Sequence, residues 1–134
     1  MKLTSLIAAI ALAACVGCGT TATNSFNVVV TVPIAVELAR EVYLNHVNTC
    51  HCVHQSEYNI AMAAYSAYQR ANQAASDTVA SYGTNAVPND VALQALTAAA
   101  EASAGDFINL VTATIPAADA ANLKAKVPKT IKLK

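Results

Sequence analysis

Every histidine of the chain lies in one short stretch, His46-Val47-Asn48-Thr49-Cys50-His51-Cys52-Val53-His54, together with two of the four cysteines. Imidazole and thiolate are the ligands of zinc and copper, and a Cys-x-Cys pair suits Cu(I). His46, Cys50, His51, Cys52 and His54 are therefore the candidate metal ligands. If the stretch is helical, His46, Cys50 and His54 share a face at i, i+4 and i+8. A rise of about 1.5 Å per residue then leaves the outer two roughly 12 Å apart, too far to share one ion. Only an adjacent pair chelates, and further ligands come from a second chain or from a neighbour such as Glu57. If the stretch is a loop, four ligands can converge, although so short a spacing strains a tetrahedron. The separations match no zinc-finger pattern.

Val47-Asn48-Thr49-Cys50-His51 also resembles the c-type haem attachment sequence Cys-x-x-Cys-His, with valine where the first cysteine would stand. That resemblance implies one thioether at Cys50 and His51 as axial ligand. Other chemistry has little to work with. No paired carboxylates share an apolar setting, no Gly-rich phosphate loop is present, and Ser56 and Ser66 have no base outside the histidine cluster. The sequence reads as a non-enzyme without a resident cofactor. Zinc, copper or haem binding at 46–54 is the alternative.

Two stretches position everything else. Tyr58, Ala61, Tyr65, Tyr68, Asn72, Ala75, Val79 and Tyr82 recur at alternating steps of three and four, as do Leu93, Leu96, Ala100, Ser103, Phe107, Leu110 and Thr114. Such heptad seams keep one helix face against a partner. Residues 83–89 between them form a turn by composition. Folding the pair antiparallel sets Val79 against Leu96, Ala75 against Ala100, Asn72 against Ser103, Tyr68 against Phe107 and Tyr65 against Leu110. Small residues meet in the middle, and a hydrogen bond from Asn72 to Ser103 would fix the register.

The remaining elements follow from local signals. Val28-Val29-Val30-Thr31-Val32 is β-branched and reads as a strand or extended chain, with Thr130-Ile131-Lys132-Leu133 as its only potential partner. Pro33 suits the first turn of a helix reaching about residue 48, with Ile34, Leu38 and Val42 on one stripe and Val36, Ala39 and Tyr43 on another. A turn over 48–55 with Ser56 as the next cap is preferred to one continuous helix. Pro116 to Lys126 forms a short last helix, ended by Pro128. The predicted fold is all-α: an antiparallel αα-hairpin (about 56–82 and 90–114), a preceding helix (about 33–48) and a short C-terminal helix, in a three- to four-helix bundle. Much of the 55% hydrophobic content is alanine and aromatics are only 5%, so the core of this 134-residue chain is thin.

The N-terminus bears on location. Met1-Lys2 precedes a largely apolar run from Leu3 to Ala14, too short for a permanent bilayer span but of signal-peptide length. Its end, Leu12-Ala13-Ala14-Cys15, resembles the bacterial lipobox. The resemblance implies cleavage before Cys15, lipidation of that cysteine and, with Val16 following, an outer-membrane address facing the periplasm. Cys18 ranks second as the modified residue. The chain then divides into a signal peptide (1–14), a lipidated N-terminus and tether (15–32), a helical domain (33–123) and a basic tail (124–134). In an oxidising envelope, Cys18, Cys50 and Cys52 are disulfide candidates. Pairing of Cys18 with Cys50 or Cys52 is preferred to a strained Cys50–Cys52 ring.

Charge is segregated although the formal net charge is zero. All eight acidic residues lie at or before Asp119, whereas Lys124, Lys126, Lys129, Lys132 and Lys134 follow it. The tail either docks on the acidic body or contacts an anionic envelope surface. Nucleic acid is not an expected partner of an exported protein. Ile115 to Ala121, in an alanine-rich chain of this size, resembles small phage- and prophage-encoded lipoproteins. That likeness implies host-envelope modification, superinfection exclusion or lysis. The leading functional reading is a lipid-anchored helical envelope protein acting structurally, by contact with a protein partner or by self-association.

Overall fold

The structure, a computed structural model, describes the backbone of residues 20–81 and 91–134 and the side chains of 28–81 and 91–134. The segment read as a signal peptide, Cys15, Cys18, Tyr82 and the expected turn at 83–89 lie outside the described residues. Among the described residues there are four helices: α1 (Thr20–Cys50), α2 (Gln55–Ser81), α3 (Val91–Thr114) and α4 (Ala117–Lys126). The all-α class and the α2–α3 hairpin are as the sequence implies. The most extensive helix–helix contact is α2 with α3, followed by α1 with α3.

The first helix differs from its sequence reading. It includes residues 20–32, read above as tether and short strand, and Pro33 lies inside it rather than at its start. An interior proline costs about 3 kcal/mol through its missing N–H and its clash with the preceding turn. Burial is the competing term. Val28, Val29 and Val32 are all buried, and each fully buried valine contributes about 1.5 kcal/mol or more. The apolar stripe passes through the proline to Ala35, Val36, Ala39 and Tyr43, all of them buried. Tertiary packing therefore overrides both the β-branched propensity and the proline. Ile34, assigned above to an apolar stripe, is 67% exposed.

The hairpin seam is correct in α2 and rotated in α3. In α2 the buried residues are Ala61, Tyr68, Asn72 and Ala75, all from the expected set. In α3 Leu93, Ala100 and Phe107 are buried as expected, but Thr97, Ala104 and Val111 replace Leu96, Ser103 and Leu110 between them. Leu110 is 37% exposed. The heptad reading assumed one partner helix. Because α3 packs against α1 as well as α2, it buries a wider arc, and that arc is turned toward both neighbours. The proposed Asn72–Ser103 bond is affected too: Ser103 is only half-buried, and the buried Oδ1 of Asn72 has no hydrogen-bond partner. Buried Thr97 avoids that penalty by donating to the Leu93 and Gln94 carbonyls at 3.1 and 3.0 Å.

The C-terminal segment packs as irregular chain. Asp119 sits in the first turn of α4 and Lys124 and Lys126 in its last, matching the helix dipole at both ends. Beyond it, Ile131 N–H closes a turn onto the Pro128 carbonyl at 3.0 Å, and Ile131 is buried. The tail lies across α3 at Gly105, where an added Cβ would stand 3.1 Å from the Lys132 carbonyl oxygen. Glycine permits that approach. The Lys134 amide donates to Asn109 Oδ1 at 3.1 Å, one turn further along α3. No ribbon forms between this segment and residues 28–32, because the latter are helical.

Candidate functional site

The cluster at 46–54 combines helix and turn. His46 and Cys50 occupy i and i+4 on the last turn of α1, one of the two spacings at which helical side chains reach a common point. The Thr49 hydroxyl donates to the Asn45 carbonyl at 2.8 Å, and the His51 amide closes onto Val47 at 3.3 Å. The chain then reverses at His51, whose φ of 51° lies in the left-handed region. Histidine is among the residues that tolerate this conformation. The reversal brings the Cys52 amide to 3.1 Å from Cys50 Sγ and sets the two Cα atoms 5.1 Å apart, within disulfide range.

Cys50 and Cys52 are disulfide-bonded. The expected disulfide is present, but its pairing corrects the preference for Cys18 as partner. The left-handed turn at His51 supplies the backbone reversal that a ring across one residue needs. His46 Nε2 stands 3.5 Å from Cys50 Sγ and 3.8 Å from Cys52 Sγ, and the three ligand atoms lie within 4.8 Å of one another. Of the five candidate ligands the structure thus brings together three. His51 and His54 are exposed and not part of that group.

The segment from His54 onward has a different role. The His54 amide donates to Glu57 Oε2 at 3.0 Å, and the Tyr58 amide bonds the His54 carbonyl at 3.0 Å. His54 is therefore the N-cap residue of α2, with Glu57 reaching back as in half a capping box. Ser56, expected as the cap, sits inside the helix. Glu57 is correspondingly committed to the helix start. Below the turn, Tyr43 and Tyr58 stack with ring centroids 6.4 Å apart, and Val47 and Val53 pack on the core. Val47 occupies the position of the missing haem-attachment cysteine.

A second polar cluster joins α1 to α2. The Tyr65 hydroxyl donates to Glu37 and accepts from Gln69 Nε2 at 3.0 Å, while Arg40 lies over the Tyr65 ring at 5.3 Å and 3.7 Å from Glu37. Tyr65 also meets Phe107, with centroids 5.4 Å apart. Burial, then the Glu37 hydrogen bond and charge, push the Tyr65 hydroxyl up to about 12, with Arg40 and Gln69 opposing. Burial also raises Tyr68 and Tyr43. Tyrosine in an unfolded chain titrates near about 10. Between about 10 and 12 the folded state therefore holds the extra proton, and stability present below pH 10 is lost as pH rises through that window. The urea midpoint, followed by circular dichroism, is expected to fall from about pH 10 to about pH 12 and to fall less steeply in Tyr65→Phe. An equally steep fall in the variant would mean that Tyr65 does not carry this linkage.

The tail lysines 124, 126, 129, 132 and 134 are all solvent-exposed, although the backbone between them docks on α3. Lys132 lies near Glu101, whose carboxyl is pushed up by burial against the pull of Thr130 and Lys132. Leu38, Val42, Asp119, Asn122, Leu123 and Lys126 line a shallow depression between α1 and α4. No family model, curated protein or solved structure matches the chain.

Proposed function

We propose that the chain is a lipid-anchored helical protein of the bacterial envelope that acts by contact with another envelope protein. The observation carrying this reading is Leu12-Ala13-Ala14-Cys15 at the end of an apolar run, with its resemblance to a lipobox. Among the described residues no helix is long and apolar enough to cross a membrane, so lipid on Cys15 would supply the attachment. Four residues, five Cα–Cα steps in all, separate Cys15 from Thr20 of α1. An extended chain of that length spans at most about 18 Å. The bundle would be held close to the bilayer, with its exposed faces, Ile34 and Ile60 among them, turned to neighbouring proteins. The resemblance to phage and prophage lipoproteins supports roles in host-envelope modification, superinfection exclusion or lysis.

Lipidation is tested first. The full chain expressed in a bacterial host is expected to incorporate radiolabelled palmitate and to fractionate with membranes. Cys15→Ser should abolish the label and leave unprocessed precursor, whereas Cys18→Ser should retain it. Unlabelled protein released in soluble form would sink the proposal. A photocrosslinker at position 34 or 60 then asks whether a discrete envelope protein is captured.

A further inference from the structure

We infer that Cys50 and Cys52, when reduced, form with His46 a three-ligand site for a monovalent soft cation, Cu(I). Two thiolates and one imidazole are a soft donor set, which favours Cu(I) and Zn(II) over hard cations. With metal–sulfur and metal–nitrogen bonds of about 2.3 and 2.0 Å, three ligands at 120° stand about 3.7 Å apart from S to N and about 4.0 Å from S to S. His46 Nε2 already lies 3.5 and 3.8 Å from the two sulfurs. Only the sulfurs must separate, and their Cα atoms, 5.1 Å apart, permit it by side-chain rotation.

Ligand number sets Cu(I) apart from structural zinc. Structural zinc is almost always four-coordinate. Here His51 and His54 do not join the group, and Glu57 is bound to the His54 amide. Cu(I) is satisfied by three ligands, so the geometry fits it without recruiting a fourth. His46 is half-buried on the last turn of α1, so its ring is carried by the helix rather than by a free loop. Cys52 is exposed, so a reductant or a copper donor can reach the pair.

The disulfide makes the site conditional. An external dithiol breaks the Sγ–Sγ bond by supplying two electrons and two protons, and itself leaves as a disulfide. Both cysteines are then thiols. Binding of Cu(I) releases their two protons to solvent and involves no further electron transfer, because the ion arrives already reduced. Oxidised protein lacks both thiolates and does not bind.

The test uses the full-length chain purified in detergent, reduced by a phosphine that is then removed, and titrated anaerobically with Cu(I) held by a coloured bidentate chelator. Reduced protein is expected to withdraw one Cu(I) per chain, and oxidised protein none. Cys50→Ser and Cys52→Ser should each weaken binding by more than about 100-fold, the upper end of what loss of a supporting group alone costs. His46→Gln should weaken it by about 10-fold or more and remove the nitrogen from the X-ray absorption spectrum of the bound copper. Cys18→Ser, His51→Gln and His54→Gln should bind as the parent does. Circular dichroism of each variant separates ligand loss from unfolding. The inference is overturned by equal binding in the oxidised protein, by no withdrawal of copper, by unchanged affinity in folded His46→Gln, or by loss of binding in folded Cys18→Ser. None of these outcomes bears on palmitate labelling, so the anchoring proposal stands or falls separately.

Discussion

Replacing Phe107 with alanine is expected to lower the unfolding free energy by about 3–5 kcal/mol, the usual cost of deleting a buried aromatic ring. Phe107 is fully buried on α3 and packs against Tyr65, so its loss opens a cavity where the hairpin and the α1–α2 polar cluster meet. A small domain has only about 5–15 kcal/mol in total, so this change removes a large share of it. With a urea slope of about 1–3 kcal/mol per molar, the midpoint should drop by about 2 M or the folded baseline should vanish. Leu110→Ala is the internal comparison. On the heptad reading both residues lie on the seam and both truncations should be severe. With Leu110 37% exposed, its truncation should cost less than half as much. Equal losses at the two positions would restore the unrotated seam and contradict the observed arc of α3.

Ala100→Leu carries the second large effect, by the opposite mechanism. Ala100 is fully buried, and Ala75 on the facing helix is too. Small residues at these positions allow a close approach of the two helices. A leucine there forces the helices apart or off their rotamers, at about 1–3 kcal/mol or more. Thermal unfolding should shift downward by about 4–8 °C per kcal/mol for a body of this size. Ala99→Leu, one position away on an exposed face, should leave the midpoint within about 2 °C. If both variants unfolded at the parent temperature, the centre of the hairpin would have to be loosely packed. The apparent thinness of the alanine-rich core would then be a matter of packing as well as of composition.

The proposed copper site is legible in its parts and hidden in its assembly. The clustering of His46, Cys50 and Cys52 is plain in the sequence, and so is the i, i+4 relation of the first two. The sequence reading weighed a continuous helix, which separates the ligands, against a loop, which gathers four. The chain does neither. It stays helical as far as Cys50 and reverses at a single left-handed histidine, which is why three ligands meet and the other two do not. Histidine tolerates that conformation without being marked for it as glycine would be, so no compositional signal announced the turn. The cap was missed for a related reason: Ser56 has the commoner cap chemistry, but Glu57 engages the His54 amide from three residues away.

By itself, the sequence determined the helical class, the hairpin pairing, the last helix and the crowding of metal-ligand chemistry into 46–54. These follow from periodicity and residue type, which act over one or two turns. Only the tertiary structure decided that the valine run and Pro33 belong to a helix, since a few kilocalories of burial against other helices outweigh local preference there. It also decided which side of α3 is buried, because a seam read from one pair of helices cannot contain the third. The docking of the tail at Gly105 belongs to the same class. A glycine within a helix has no periodic signature for the chain that crosses it. Local interactions are written along the sequence, whereas the contacts that override them join residues far apart along it.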